Sequence, residues 1–179
     1  NIIDLINKIK DVIKNHSHEI IVVDDNSPDR TAEVIKEQRK SRPYISLIHR
    51  LDRRGLSGAV IEGILSSKSE ISAIIDCDLQ HDETKLTEMY SLFEKDPTLD
   101  LVVGSRFLNQ NGIPGEAFTY KRKIGSKLAT FYTKKLLGIT ISDPLSGFFM
   151  VKNKKFEKYA KDLQTQGFKI LADLVASSK

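Results

Sequence analysis

Short apolar runs that alternate with helical patterns constrain the fold of this chain more than any other feature of its sequence. The runs are rich in β-branched residues and lie at Glu19–Asp24, Tyr44–His49, Ile71–Ile75 and Asp100–Val103. Such runs are typical of strands that are covered on both faces. Amphipathic helical patterns precede the first run and follow the first three, at Asn1–Asn15, Thr31–Lys40, Leu56–Ser67 and Glu83–Lys95. This alternation predicts an α/β fold with a mostly parallel sheet flanked by helices.

The pattern loosens beyond the fourth run. Asn109–Gly115 is polar and contains Gly and Pro, as is typical of a mobile loop, and Lys121–Leu137 has a helical pattern. Asp143–Val151 predicts a turn that enters an apolar strand. Two short helical patterns, Lys154–Lys161 and Ile170–Ala176, complete the chain.

The composition is that of one globular domain, which we expect to cover residues 1–179. Hydrophobic residues make up 40% and charged residues 29%, and no stretch approaches the roughly 20 apolar residues of a membrane span. Asn1–Asn15 is amphipathic and therefore differs from a secretory signal, so we expect the protein to work in the cytosol. The single cysteine, Cys77, excludes an internal disulfide.

The positive charges are unevenly placed, although the net charge is only +4. One group is Arg50, Arg53 and Arg54, and the other is Lys121, Arg122, Lys123, Lys127, Lys134 and Lys135. Such groups suit phosphates or an anionic membrane surface, and no nucleic-acid partner is expected. The alternative for each of these residues is a solvated protein face.

Two carboxylates separated by one residue follow the third apolar run. Asp76 and Asp78 can direct hard oxygen ligands at one Mg²⁺ or Mn²⁺, and Gln80 can add a neutral oxygen. The alternative is a turn in which aspartate side chains cap backbone amides. Polar residues also follow the first run, at Asp24 and Asp25, and the fourth run. Because ligands of parallel α/β sheets lie beyond the carboxyl ends of the strands, these groups predict one shared site.

Seven sequence blocks, taken together, resemble a known enzyme family. They are Val22–Asp29, Arg54-Gly55-Leu56, Asp76–His81, Gly104-Ser105-Arg106, Arg122, Ser126 and Asp143–Phe149. In this order and at these spacings, the chain resembles a family 2 glycosyltransferase of GT-A fold. It is most similar to the branch that contains the dolichol-phosphate or polyprenyl-phosphate mannosyltransferases.

The resemblance implies roles on the donor side. Asp25 would contact the nucleotide part of a nucleotide-sugar donor, and Lys169 would be a further donor contact. Asp76 and Asp78, with Gln80, would bind Mg²⁺ or Mn²⁺ and through it the donor diphosphate. The sugar would be a hexose, mannose from GDP-mannose, with a UDP-sugar such as UDP-glucose as the alternative donor.

On the acceptor side, the resemblance implies that Arg106, Arg122 and Ser126 would hold the phosphate of a dolichyl or polyprenyl lipid. Arg106 would also belong to the catalytic centre, together with the two metal-binding aspartates. Arg122 and Ser126 are one helical turn apart, so guanidinium and hydroxyl donors can converge on one phosphate. The alternative for Arg122 is a surface residue of a basic helix. A phosphate monoester has a second pKa of about 6, so the nucleophile needs no general base.

The chain also departs from the family pattern. The family's first strand has no counterpart before Asn1, and the family continues beyond the position of Lys179. We therefore expect an excised catalytic core whose membrane-anchoring region or subunit lies elsewhere, acting at the cytosolic face of a membrane. Two hypotheses of another class remain: a Mg²⁺-binding phospho-receiver module, and a nucleotide-binding module without catalysis.

Overall fold

The computed structural model describes residues 1–52, 55–105, 141–167 and 169–178, and its elements coincide with the predicted runs and patterns. The strands are β1 (Ile20–Asp24), β2 (Ile45–His49), β3 (Ile71–Ile74), β4 (Leu101–Val103) and β5 (Phe149–Lys152). The helices are α1 (Ile2–Val12), α2 (Thr31–Gln38), α3 (Leu56–Ser66), α4 (Lys85–Lys95), α5 (Asn153–Ala160) and α6 (Ile170–Ser177). The predicted loop Asn109–Gly115 and helix Lys121–Leu137 lie outside the described residues.

Aspartate side chains fix the entries to two of these helices. Asp29 Oδ1 accepts hydrogen bonds from the N–H (3.1 Å) and the hydroxyl (2.7 Å) of Thr31, the first residue of α2. Asp82 accepts the same pair of bonds from Thr84, directly before α4. These bonds satisfy donors that have no partner at a helix N-terminus. The sequence favours Ser27 or Asp29 as the cap of α2, but the cap position is Arg30, and Asp29 acts from one residue earlier through its bonds to Thr31.

The described strands form two sheets, β1-β2 and β3-β5-β4. β1 and β2 are parallel, with Ile20 opposite Ile45 and Asp24 opposite His49. β5 lies between β3 and β4 and is antiparallel to both, so β3 and β4 run in the same direction. The α/β fold class is confirmed, and the reversal of β5 is an addition from the structure. It follows from the return of the chain to the edge where β4 ends, because Gly104 N–H donates to Phe148 O (2.9 Å).

β5 is the centre of the apolar core. Phe149 and Val151 pack into one layer, which contains residues of α3, α5 and α6. Phe148 and Met150 pack into the opposite layer, against α1 and α4. Because successive side chains of a strand point to opposite faces, one short apolar strand serves both layers. This burial fixes the register of β5 and, with it, the position of the turn that precedes it.

An apolar cavity of about 770 Å³ lies between β1 and β3, with residues of α1 and α3 in its wall. No described strand pairs with the edges of β1 and β3 that face this cavity. Ala73 in β3 is exposed, and its neighbours Ser72 and Ile74 are only partly buried. The prediction that Ile71–Ile75 is covered on both faces is therefore wrong, because this strand borders an open space.

Among the described residues, no helix combines the length and the apolarity that are needed to cross a bilayer.

Candidate functional site

The ends of β1 and β3 open onto one cavity of about 800 Å³. Its wall includes Asp24 and Asp25 after β1 and Cys77 in the turn after β3. Asp76 and Asp78 flank Cys77 in the sequence. The structure therefore brings residues from two of the three predicted polar groups to one cavity between the ends of β1 and β3.

Asp24 fixes the turn after β1. Its side chain is buried, and Oδ2 accepts a hydrogen bond from Ser27 N–H (3.2 Å). His49 Nε2 lies 3.6 Å from the same oxygen. A buried carboxylate needs such partners to offset the loss of water, so Asp24 acts on the conformation of the turn.

Both carboxylate oxygens of Asp25 accept a hydrogen bond from the protein. Arg50 Nη1 donates to Oδ1 at 2.8 Å, and Gly55 N–H donates to Oδ2 at 2.8 Å. The side chain of Asp25 keeps 28% of its surface exposed. A carboxylate has about four lone-pair sites, so Asp25 retains acceptor capacity on its exposed side.

Arg50 is the functional residue that the sequence analysis misjudged. It was grouped with Arg53 and Arg54 as a basic loop, but its side chain is only 3% exposed and lies between Asp25 and Glu62. Arg50 N–H donates to Asp24 O (2.8 Å), which extends the pairing of β1 and β2 by one step. The available signal was that Arg50 directly follows the predicted strand Tyr44–His49, as Asp25 directly follows Glu19–Asp24. Arg53 and Arg54 lie outside the described residues.

Asp76 is packed between a histidine and a glycine. His81 Nε2 lies 3.4 Å from Asp76 Oδ2, and the His81 ring packs against Phe148 with 5.3 Å between centroids. A Cβ at Gly147 would lie 2.2 Å from Asp76 Oδ2. The backbone of Gly147 therefore sits directly against the carboxylate, and only glycine leaves room for it. His81 therefore helps to orient a predicted metal ligand.

The turn that contains Gly147 is anchored to the end of β4. Ser146 Oγ donates to Gly104 O (2.7 Å) and accepts a hydrogen bond from Phe148 N–H (3.1 Å). Asp143 and Pro144, which precede it, are fully buried. The Asp143–Phe149 block thus has a structural role next to Asp76, and sequence reasoning alone assigned it none.

Asp78 belongs to a tight turn. Its Oδ1 accepts a hydrogen bond from Gln80 N–H (3.0 Å), and Leu79 between them has a positive φ of 61°. The alternative interpretation, in which an aspartate caps a backbone amide of its turn, therefore holds for Oδ1 of Asp78. Asp78 and Gln80 are exposed. The carboxylate of Asp78 and the side-chain amide of Gln80 are therefore accessible from solvent.

The donor set fits a hard divalent cation that is shared with a substrate. The described residues contain no group of three or more His, Cys, Asp or Glu that could hold an ion by themselves. Mg²⁺ usually binds through one or two carboxylates and completes its octahedron with water and substrate phosphates. Asp76, Asp78 and Gln80 supply oxygens of that kind.

The charge around Cys77 is consistent with cation binding. The surrounding protein removes water from the thiol, which raises its pKa, and the negative charges of Asp76, Asp78 and Asp24 raise the pKa further. The same negative potential attracts a divalent ion. A thiol with a raised pKa is a poor nucleophile at neutral pH.

Lys169 is exposed and directly precedes α6. The segment before it is bound to the first turn of α3: Gly58 N–H donates to Thr165 O (2.9 Å) and Ser57 N–H donates to Gly167 O (3.2 Å). The start of α3 also holds Gly55, the partner of Asp25. The roles of Arg106, Arg122 and Ser126, which lie outside the described residues, stay predictions.

Comparisons with known proteins agree with the sequence resemblance. The sequence model of the family Glycosyl transferase family 2 matches residues 1–160. A dolichol-phosphate mannosyltransferase from Pyrococcus furiosus is 32% identical over 181 residues, which covers 100% of this chain and 49% of that protein. A dolichol-phosphate mannosyltransferase from Saccharomyces cerevisiae is 34% identical over 162 residues, covering 88% and 57%. The chain thus spans about half the length of these curated relatives.

A solved structure shares the fold. Glucosyl-3-phosphoglycerate synthase from Mycobacterium tuberculosis, in complex with uridine-diphosphate, matches 93% of this chain and 57% of its own, with a TM-score of 0.58 and 18% sequence identity. The expected GT-A type of α/β fold is confirmed. The phospho-receiver hypothesis has no support from any of these likenesses.

Proposed function

Because the chain belongs to glycosyl transferase family 2, we propose that it transfers a hexose from a nucleotide-sugar donor to dolichyl or polyprenyl phosphate, with inversion. The proposed donor is GDP-mannose, in line with the dolichol-phosphate mannosyltransferases that the chain resembles. The proposed place of action is the cytosolic face of a membrane, where a lipid phosphate would be available.

The observation that carries the proposal is the shared cavity at the strand ends. Asp25 and Cys77 line one space of about 800 Å³. Cys77 lies between Asp76 and Asp78 in the sequence, and Asp76 and Cys77 also line the apolar cavity between β1 and β3. A nucleotide on Asp25 would place its diphosphate toward that turn. This arrangement follows the general position of ligands in open α/β sheets.

Asp25 is suited to bind the organic part of the donor. Two protein donors hold its carboxylate in place, and its remaining lone pairs can accept N–H or O–H groups from a base or a ribose. A fixed acceptor loses little freedom when the ligand binds, which favours affinity.

Asp76, Asp78 and Gln80 would hold Mg²⁺ or Mn²⁺. The ion would act as a Lewis acid toward the negative charge of the departing nucleoside diphosphate. His81 and Gly147 keep the Asp76 carboxylate in one orientation, and the turn amide of Gln80 holds Asp78.

The acceptor phosphate would attack the anomeric carbon as the bond to the diphosphate breaks. It is already largely ionised near neutral pH, since its second pKa is about 6. We propose that Arg106, Arg122 and Ser126 hold this phosphate, the two arginines by charge-assisted bonds and Ser126 by its hydroxyl.

Calorimetric titration of the protein with GDP-mannose and with UDP-glucose, each with and without Mn²⁺, tests the proposal. We expect binding of GDP-mannose only with the metal, and Asp78→Ala should weaken it by about a hundredfold or more. Asp96→Ala is the matched control, because Asp96 also caps a turn, through Thr98, and is exposed.

Each result has a distinct meaning. Binding of UDP-glucose in preference to GDP-mannose would replace the proposed donor, and binding without turnover would leave a nucleotide-binding module. Absence of binding by both nucleotides, with the fold intact by circular dichroism, would contradict the proposed function.

The acceptor side has its own test. Arg122→Ala should raise the KM for the lipid phosphate by about tenfold or more, since one charge-assisted phosphate contact is lost. Donor affinity should stay unchanged. An equal loss of donor affinity would contradict the assignment of Arg122 to the acceptor.

A further inference from the structure

A buried arginine lies behind the proposed donor carboxylate. Arg50 follows β2, and its guanidinium is enclosed by Asp25, Glu62 and the first turn of α3. Burying a guanidinium is costly unless opposite charge and hydrogen bonds compensate for the lost water. We propose that Arg50 is a positioning residue, which fixes Asp25 for the donor and links it to the segment that leads to Lys169. This inference rests on the proposed function.

Three groups form a closed hydrogen-bond ring. Arg50 Nη1 donates to Asp25 Oδ1 (2.8 Å) and to Gly55 O (3.2 Å), while Gly55 N–H donates to Asp25 Oδ2 (2.8 Å). Each carboxylate oxygen is thus held from a different direction, which fixes the rotation of the group. Gly55 has a φ of 130°, a backbone conformation that residues other than glycine rarely adopt.

The other side of the guanidinium lies against α3. A Cβ at Gly58 would lie 2.7 Å from Arg50 Nη2 and 3.0 Å from Thr165 O. The glycine therefore lets the guanidinium and the 165–167 segment approach the same turn of helix. Gly58 N–H donates to Thr165 O (2.9 Å), two peptide groups before Gly167. Gly58 thus lies against the Arg50 guanidinium and is also bonded to the segment that leads to Lys169.

The charges of the network favour a role beyond stability. Arg50 supplies one positive charge near two carboxylates, Asp25 and Glu62. Its Nε lies 3.1 Å from Glu62 Oε1 but makes no hydrogen bond within the described residues. The well-aligned bonds therefore run to Asp25 and Gly55, the groups that face the cavity. Without Arg50, the Asp25 carboxylate would lose its guanidinium partner, and its negative charge would repel a donor diphosphate more strongly.

Arg50→Met tests the proposal, with Arg42→Met as the matched control. Arg42 lies before β2 and donates to Asn7 Oδ1 (2.8 Å), so the same change is made at the other end of the same strand. We expect Arg50→Met to weaken donor affinity by about tenfold or more, and Arg42→Met by less than about twofold. Arg50→Lys keeps the charge but loses the fork of donors, so its loss should be intermediate.

A double-mutant cycle distinguishes positioning from general support of the fold. In an Asp25→Asn background, Arg50→Met should cost less than about threefold in donor affinity, because the group it positions is already altered. Full additivity would overturn the proposal. So would a fall in melting temperature with donor affinity unchanged.

If Arg50→Met does not fold, Arg50→Lys and its cycle with Asp25→Asn give the same readout. Donor binding equal to that of the unmodified protein in Arg50→Lys would then overturn the proposal, because one flexible ammonium cannot reproduce the ring. Failure of the unmodified protein to bind any nucleotide sugar would instead contradict the proposed function, which keeps the two failures distinct.

Discussion

The two acidic regions at the strand ends are built in opposite ways. Asp25 after β1 has both oxygens held by protein donors, Arg50 and Gly55. Asp78 after β3 is exposed, and the described contact of its side chain is with an amide of its own turn. A hydrogen-bonding surface for a nucleotide gains from a fixed acceptor, whereas a metal ligand needs oxygens whose lone pairs are free for the ion. The difference supports separate roles for the two regions.

Among the variants of the Asp76–Asp78 region, Gly147→Ala should weaken metal-dependent donor binding most. The new Cβ would fall 2.2 Å from Asp76 Oδ2, so the carboxylate must move. We expect roughly a hundredfold weaker metal-dependent donor binding, because a displacement of this size misplaces a ligand. Calorimetry with GDP-mannose and Mn²⁺ measures it.

Gly63→Ala is the control for this change. Gly63 lies in α3, where a Cβ would meet only Val23 Cγ2 at 3.2 Å. Equal losses in the two variants would show that the effect comes from general repacking, and the comparison between the two acidic regions would lose its basis.

His81→Ala should have a smaller effect in the same region. His81 is the side chain that orients Asp76, at 3.4 Å, and residues that orient metal ligands typically change metal affinity by about tenfold. Titration with Mn²⁺ in the presence of donor measures the change. His16→Ala, which removes a ring packed against Tyr90, serves as control. If His81→Ala leaves the Mn²⁺ affinity unchanged, His81 does not orient Asp76 for the metal and only packs against Phe148.

Asp29 borders the 800 Å³ cavity, but its carboxylate is bonded to Thr31 at the start of α2. Asp29→Ala should therefore have the smallest effect. The two bonds from Thr31 lower the pKa of the Asp29 carboxyl. A group whose pKa is lower in the folded state stabilises the fold above its unfolded pKa, and this contribution is lost as the pH falls through the folded value.

The melting temperature of Asp29→Ala should therefore be lower than that of the unmodified protein near about pH 6. The difference should shrink as the pH falls below the ordinary Asp pKa of about 4, and it should vanish below the lowered pKa of the folded state. Donor affinity should not change. A loss of donor affinity would show that this carboxylate belongs to the site after all.

Much of the fold follows from local pattern. The β-branched runs and helical stripes predicted every described element, because strands and helices impose their own periodicity on buried side chains. The carboxylates at the ends of β1 and β3 were found in the same way, since strand ends are visible in the pattern. The family was identified from the order of its blocks, and the match over residues 1–160 agrees.

Other features depend on residues that are distant in the sequence. Charge alone placed Arg50 in a basic group for phosphates or a membrane surface, with a solvated face as the alternative, but its side chain is buried between Asp25 and Glu62. The reversal of β5 depends on the return of the chain to Gly104. The open edge of β3 depends on what packs beside it.

The sequence by itself determined the elements, their order and the acidic residues at the strand ends, because these depend on local periodicity and turn chemistry. Only the tertiary structure decided that Asp25 is held by protein donors on both oxygens, whereas Asp78 is exposed to solvent. That choice depends on long-range contacts: Arg50 and Gly55 reach Asp25 from outside its own segment, and Gly147 reaches Asp76. No periodicity encodes such contacts, since they arise when separate elements pack against one another.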